Sequence, residues 1–349
     1  MKKLVALCLC LAMTGVMFAG CSSKPVEQTT TTQNQSENTQ TEQGEEKVAL
    51  KVALCVTGVV NDMGWCQAAY DGLLLVEEKF GAEIAYTENL GPADMVAAFT
   101  EYAASGYDVV IGHGFQFGDV ALEVGELYPD TKFICVEAGA SAQNVASYVM
   151  KCEETAFLNG MLAASMSESG KIGFIGPMQG ASLVKIMNGF EDGAKFVNAD
   201  IEVQTAWSGS FTDTALAKEA AVAMIENGVD IMGHCANESG TGAINAAKEA
   251  DIYAIGDSYD QSVLAPEIIM TSAIYNVPQL IEAAISDIIN GSFEGTIKEM
   301  GMADGIVELA PYHGFEDIIP EEIKTLIADT AAKIVSGEFV VPCDITARS

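Results

Sequence analysis

Short apolar runs rich in valine and isoleucine alternate with amphipathic stretches along most of this chain. Residues 51–57, 83–87, 108–112 and 132–136 read as strands. Between them, 64–80, 93–105 and 118–128 carry helical periodicity, the first with Ala68, Leu73 and Val76 on its buried stripe. The pattern then restarts. Strands are expected over 171–176, 201–207, 230–234 and 252–255, and helices over 182–197, 213–227 and 240–250. Strands alternating with helices imply βαβ crossovers and a parallel sheet. Past Pro320, a helix running to Ile334 and a short extended tail are expected to pack on the second half.

The two halves resemble each other. VAL at 52–54 matches IGF at 172–174, Gly72 matches Gly189, and GAEI at 81–84 matches NADI at 198–201. YDVVIGH at 107–113 matches VDIMGH at 229–234, with Gly-His closing the third strand of each half. Repetition on this scale predicts an α/β protein of two lobes, each a doubly wound parallel sheet, joined by a hinge. The expected division is 48–150 plus 274–300 for the first lobe and 151–273 plus 301–349 for the second.

The amino terminus has a different character. Lys2 and Lys3 precede an apolar run from Leu4 to Phe18, shorter than the about 20 residues a spanning helix needs. It ends in Phe18-Ala19-Gly20-Cys21, which resembles a bacterial lipobox: a signal peptide over 1–20, cleavage before Cys21, and a lipid on its thiol. An ordinary secretory cleavage near Ala19 or Gly20 is the alternative. Residues 21–47 are Ser-, Thr-, Gln- and Glu-rich and almost free of apolar side chains. They read as a disordered tether spanning about 30 Å. The expected location is the extracytoplasmic face of the cell membrane, held by lipid.

A formal net charge of -32 argues against nucleic acid as a partner and against a polyanionic ligand. Of nine cysteines, six lie in the folded region, none in CxxC spacing. Buried free thiols are favoured over disulfides, and neither metal nor cofactor is expected. No GxSxG, HExxH, P-loop or GxGxxG occurs, and there are only three histidines, so binding is expected rather than turnover.

In open parallel sheets ligands sit beyond the carboxyl ends of the strands. After the first strand come Asn61 and Asp62, either of which can cap the next helix, and Trp65 in its first turn. After the third strand come His113, Phe115, Gln116 and Phe117; one of the two phenylalanines is expected to face the core. The second half offers Phe211 before a helix capped by Thr212 or Asp213, then Asn237 and Glu238, then Asp257 and Tyr259. Asn276 follows the strand that returns to the first lobe. Aromatic faces from both lobes suit a flat heteroaromatic ligand, each stack being worth about 1–3 kcal/mol. A sugar is the rival. Arg348 is the single arginine, so no arginine clamp serves a phosphate or carboxylate.

Several stretches together resemble the basic membrane protein family of substrate-binding lipoproteins, of the purine nucleoside receptor type. They are the lipobox at Cys21, Asn61-Asp62-Met63-Gly64-Trp65, GKIGFIG at 170–176, GFEDGAK at 189–195, GSFTD at 209–213 and YAIG at 253–256. The resemblance covers essentially the whole mature chain. It implies a type I periplasmic-binding-protein fold, purine ligands and an ABC permease as partner. It also implies aromatic faces at Trp65 and Phe211 and an acidic-amide helix start at Asn61 and Asp62. The expected mechanism is hinge closure, with the ring sandwiched by Trp65 and Phe211 and its edge read by Asn61, Asp62, Gln116 and Asn237. Two departures concern the ribose grip. Asp257 directly follows Gly256, with Ser258 in the place the family gives an acid, and residues 273–277 contain no lysine. A free purine base, or a nucleoside held differently, is therefore open. A ligand sensor for a membrane receptor is the other functional reading.

Overall fold

A computed structural model describes residues 50–62 and 64–348. The signal peptide, Cys21 and the tether expected over 1–47 lie outside the described residues. The first sheet begins with β1 (Lys51–Cys55), β2 (Glu83–Thr87), β3 (Val109–His113), β4 (Lys132–Val136) and β5 (Val145–Met150). Its helices are α1 (Trp65–Phe80), α2 (Met95–Ala104) and α3 (Gly118–Leu127). The chain crosses through α4 (Cys152–Met166) to β6 (Lys171–Gly176), β7 (Glu202–Trp207), β8 (Ile231–His234), β9 (Tyr253–Gly256) and β10 (Ile269–Tyr275). Between these strands lie α5 (Ala181–Val197), α6 (Thr214–Glu226) and α7 (Gly240–Glu249). It returns through α8 (Val277–Ile289) to β11 (Ile297–Met300), then crosses again to β12 (Val307–Leu309) and α9 (Glu321–Val335).

The two sheets have the orders β11-β5-β4-β3-β1-β2 and β12-β10-β9-β8-β6-β7. The first is parallel throughout, and in the second β12 runs antiparallel to β10. Equal strand order is the structural form of the repetition seen along the chain. The inner strands β3 and β8 are buried at every position, as helices on both faces of a sheet require. The edge strands β2 and β7 are partly exposed.

Glycines set how closely the helices approach. A Cβ on Gly72 would lie 3.1 Å from the Pro278 backbone on α8, and one on Gly189 2.9 Å from the Glu153 carbonyl on α4. The matching glycines of the two halves thus each admit a helix delivered by a crossing. The α4–α5 pair is tighter still: a Cβ on Gly160 would meet the Phe190 carbonyl oxygen at 2.0 Å, and one on Gly193 the Phe157 carbonyl oxygen at 1.8 Å. Helix α4 is buried from Cys152 through Ala164, packed against α5, α9 and β10.

Each crossing is tied by a carboxylate. Glu137 Oε1 accepts from the Met150 amide at 2.6 Å. Asp257 Oδ1 accepts from the Tyr275 hydroxyl at 2.7 Å. Glu154 Oε2 accepts from the Met302 amide at 2.7 Å. The tail beyond α9 lies across α5, where Asn188 Nδ2 donates to the carbonyls of Asp344 and Thr346. Arg348 makes a two-pronged contact with Asp192. All six cysteines among the described residues are unpaired, and only Cys343 is exposed.

Candidate functional site

A cavity of about 460 Å³ lies at the carboxyl ends of the strands of both sheets, within the size range of small-molecule sites. Eight of the expected residues line it: Asp62, Trp65, Phe115, Gln116, Phe211, Asn237, Glu238 and Asp257. Asn61, His113, Tyr259 and Asn276 do not. Asn61 is exposed on the loop after β1. Tyr259 follows Asp257, bonded through its amide to that residue's carbonyl. Asn276 starts α8, with its amide on the Ile306 carbonyl.

The walls are built by local rules. Asp62, not Asn61, serves the amino end of α1: its carboxylate accepts from the amides of Gly64, Cys66 and Gln67 at 2.9–3.1 Å. That satisfies amides a helix start leaves free and fixes Trp65 at the cavity. Asp213 caps α6 through the Ala215 amide, holding Phe211 on the loop before it. Phe117 is fully buried against Phe99, while Phe115 faces the cavity from the first sheet.

His113 lies behind Trp65 rather than in the cavity. The rings stack with centroids 3.9 Å apart, and Nε2–H donates to the Trp65 carbonyl at 2.9 Å. Nδ1 is buried without a hydrogen-bond partner. The histidine is thus a backing plate for the tryptophan. Its counterpart His234, at the end of β8, is paired with Gln261 Oε1 at 2.9 Å.

Burial keeps both imidazoles neutral, lowering His113 to about 3 and His234 to about 4. The unfolded chain takes up these protons below pH 6.5, whereas the folded chain resists until about pH 4. Stability is therefore lost as pH falls through this window. Asp257 has the opposite sign: burial raises it to about 6 against the pull of Tyr275 and Ser258, so the folded chain protonates first. Glu137 and Glu154, also raised by burial, share the sign of Asp257; these three give back part of what the histidines cost, and lowering the pH from 7 to 5 is expected to leave a net loss on the order of 1 kcal/mol. Urea midpoints at the two values measure this. Asp257→Asn should steepen the loss, and a flat profile in both proteins would contradict the assignment.

Several lining residues escaped the sequence reading. Asn89, Glu137 and Ser258 join Asn237 in left-handed backbone, with φ of 58°, 60°, 70° and 49°. They are four of the six such non-glycine residues among the described residues, and backbone strain of this kind gathers at ligand sites. Glu137 and Tyr275 stand at the carboxyl ends of β4 and β10, where the strand-end rule points. Cys66, Cys152 and Cys235 also line the cavity. Burial, joined by Asp62, pushes the Cys66 thiol up to about 12. Burial also holds Cys152 and Cys235 far above the ordinary thiol value, so all three present as small apolar groups.

The lobes touch at the cavity mouth. A Cβ on Gly64 would come within 2.7 Å of Asn237 Oδ1, and one on Gly180 within 3.9 Å of the Phe115 ring. No lysine or arginine lines the cavity among the described residues, and no cluster there could hold a metal ion.

Two similarly wound lobes meeting around one aromatic-walled cavity define a solute-binding protein of the periplasmic-binding-protein type. Among solved structures, the ABC transporter solute-binding protein from Aeropyrum pernix superposes with a TM-score of 0.75 at 25% identity, covering 84% of this chain and 94% of that one. A transcriptional activator of the comK gene from Bacillus halodurans gives 0.73 at 25% identity, over 83% and 99%. Residues 49–344 match the Bmp family, described as ABC transporter substrate-binding protein PnrA-like, and the chain belongs to that family. Basic membrane protein A2 of Borrelia garinii subsp. bavariensis is 31% identical, with 84% of this chain and 88% of the relative covered. Transcriptional activator protein med of Bacillus subtilis is 30% identical over 79% and 88%. Among the described residues no helix is long and apolar enough to cross a membrane.

Proposed function

We propose that this substrate-binding protein takes up a purine nucleoside or free purine base between its lobes and hands it to an ABC permease. It would be displayed on the outer face of the membrane by a lipid on Cys21. The observation that carries the ligand class is the pair of rings from opposite sheets, Trp65 after β1 and Phe211 after β7, on one cavity with Phe115 beside them. Rings on two walls favour a flat guest, and closure by a hinge brings them onto its faces.

The polar groups narrow the guest. Among the described residues four carboxylates line the cavity and no cation does, so a phosphate ester would meet only repulsion and an unpaired desolvated charge. An uncharged ring with N–H donors suits Gln116, Asn237 and the acidic groups better. Asp257 already accepts from Tyr275 and Ser258, and Asp62 from three amides. Carboxylates so engaged support binding rather than proton transfer. Calorimetry against purine nucleosides, bases, a nucleoside monophosphate and hexoses should show binding by one of the first two groups alone. Absence of heat with every purine removes the ligand assignment.

A sensor is the second reading, favoured by the relatives named as transcriptional activators. Uptake of labelled ligand by vesicles carrying the permease separates the two.

A further inference from the structure

One buried cation stands beside the cleft without lining it. Lys185 on α5 is 4% exposed, and its side chain runs inward toward the first crossing. The ammonium donates to the Met150 carbonyl. It lies 3.4 Å from Glu153 Oε2 and 3.9 Å from Glu137 Oε2. Glu153 opens α4 in the second lobe. Glu137 follows β4 in the first lobe, and its other oxygen holds the Met150 amide. Lys185 itself does not line the cavity, whereas Glu137 does.

We propose that Lys185 is a closure clasp, a positioning residue whose ammonium joins the first lobe's Glu137 to the second lobe's Glu153 when the cleft is shut. Glu137 faces the clasp with one side and the ligand space with the other. Filling the cavity and closing the clasp are therefore linked through one carboxylate. Opening would draw Glu137 away from the ammonium and admit water to the junction, the change of state that a hinge needs in order to have two discrete positions. Burial opposes the charge on Lys185, but the carboxylates of Glu137 and Glu153 hold its proton above the ordinary lysine value. The surface pairs Lys79–Glu282 and Lys171–Glu202 stay within one lobe and have no such part in closure.

The inference rests on the interlobe cavity being the ligand site, but its first test needs no ligand. Small-angle scattering of the ligand-free full chain should show a larger radius of gyration for Lys185→Met and for Glu137→Gln than for the parent, by the same amount. Glu137→Gln guards against misfolding: its amide oxygen still accepts from Met150, and Lys185 keeps Glu153. Stopped-flow tryptophan fluorescence with inosine should then show dissociation about tenfold faster in Lys185→Met, with association no slower than in the parent because its cleft already stands open. If inosine fails to bind even the parent, inosine is not the guest and the purine reading passes to the calorimetric series above, while the scattering result still decides the clasp. Identical scattering for parent and both variants, or expansion in Glu137→Gln alone, overturns it.

Discussion

Gly193→Ala is expected to destabilise the protein by about 3 kcal/mol. The added carbon would fall 1.8 Å from the Phe157 carbonyl oxygen, a backbone atom within the buried stretch of α4 from Cys152 through Ala164. A flexible side chain could rotate out of the way; a carbonyl within α4 cannot. Relief requires α5 to withdraw from α4, opening contacts around Phe190 and Leu158, both fully buried. Urea unfolding of the variant should show the lower midpoint with an unchanged slope. Gly139→Ala is the control, since a Cβ there meets nothing within 4 Å. Equal midpoints for the two variants would show that α4 and α5 can part without cost.

Trp65→Ala should weaken ligand binding by roughly ten- to a hundredfold, the loss of one aromatic face at about 1–3 kcal/mol. Two groups preorganise this ring: the Asp62 cap below its helix and the His113 stack behind it. His113→Leu should therefore weaken binding as well, by a smaller factor, although the residue does not touch the cavity. Phe211→Ala should match Trp65→Ala, and the two losses should combine to less than their sum, because a ring with one open face already admits water. Titration calorimetry of the three single variants and the double variant with the ligand found for the parent reads all four values. Full affinity in Trp65→Ala would place the ligand elsewhere.

The alternation of strand and helix was legible because buried strands are continuous runs of Val, Ile and Ala while α1 and α5 keep a polar side. Helix α4 was not, since a helix packed against α5, α9 and β10 shows no stripe to read. Strands β11 and β12, of four and three residues, are too short for a periodic signal. At the site, the strand-end rule located Trp65, Phe115 and Phe211 but could not tell which way a residue turns. His113 and Phe115 lie two positions apart, and one backs a wall while the other forms it. Of Asn61 and Asp62, only the aspartate holds the α1 amides, a choice settled by loop geometry that composition does not encode. Glu137 carried a usable signal, a carboxylate at the end of the apolar run of β4, and its left-handed backbone could be seen only in three dimensions.

In the exterior location proposed above, the five buried sulfurs acquire a chronology. Once packed, Cys55 and Cys135 are closed off in the core, and Cys66, Cys152 and Cys235 meet the outside milieu only by way of the cavity, as neutral thiols. While the newly exported polypeptide is still uncoiled, the same atoms are open to scrambling. The pace of folding after secretion, more than any redox helper, would then decide how much receptor reaches the surface intact.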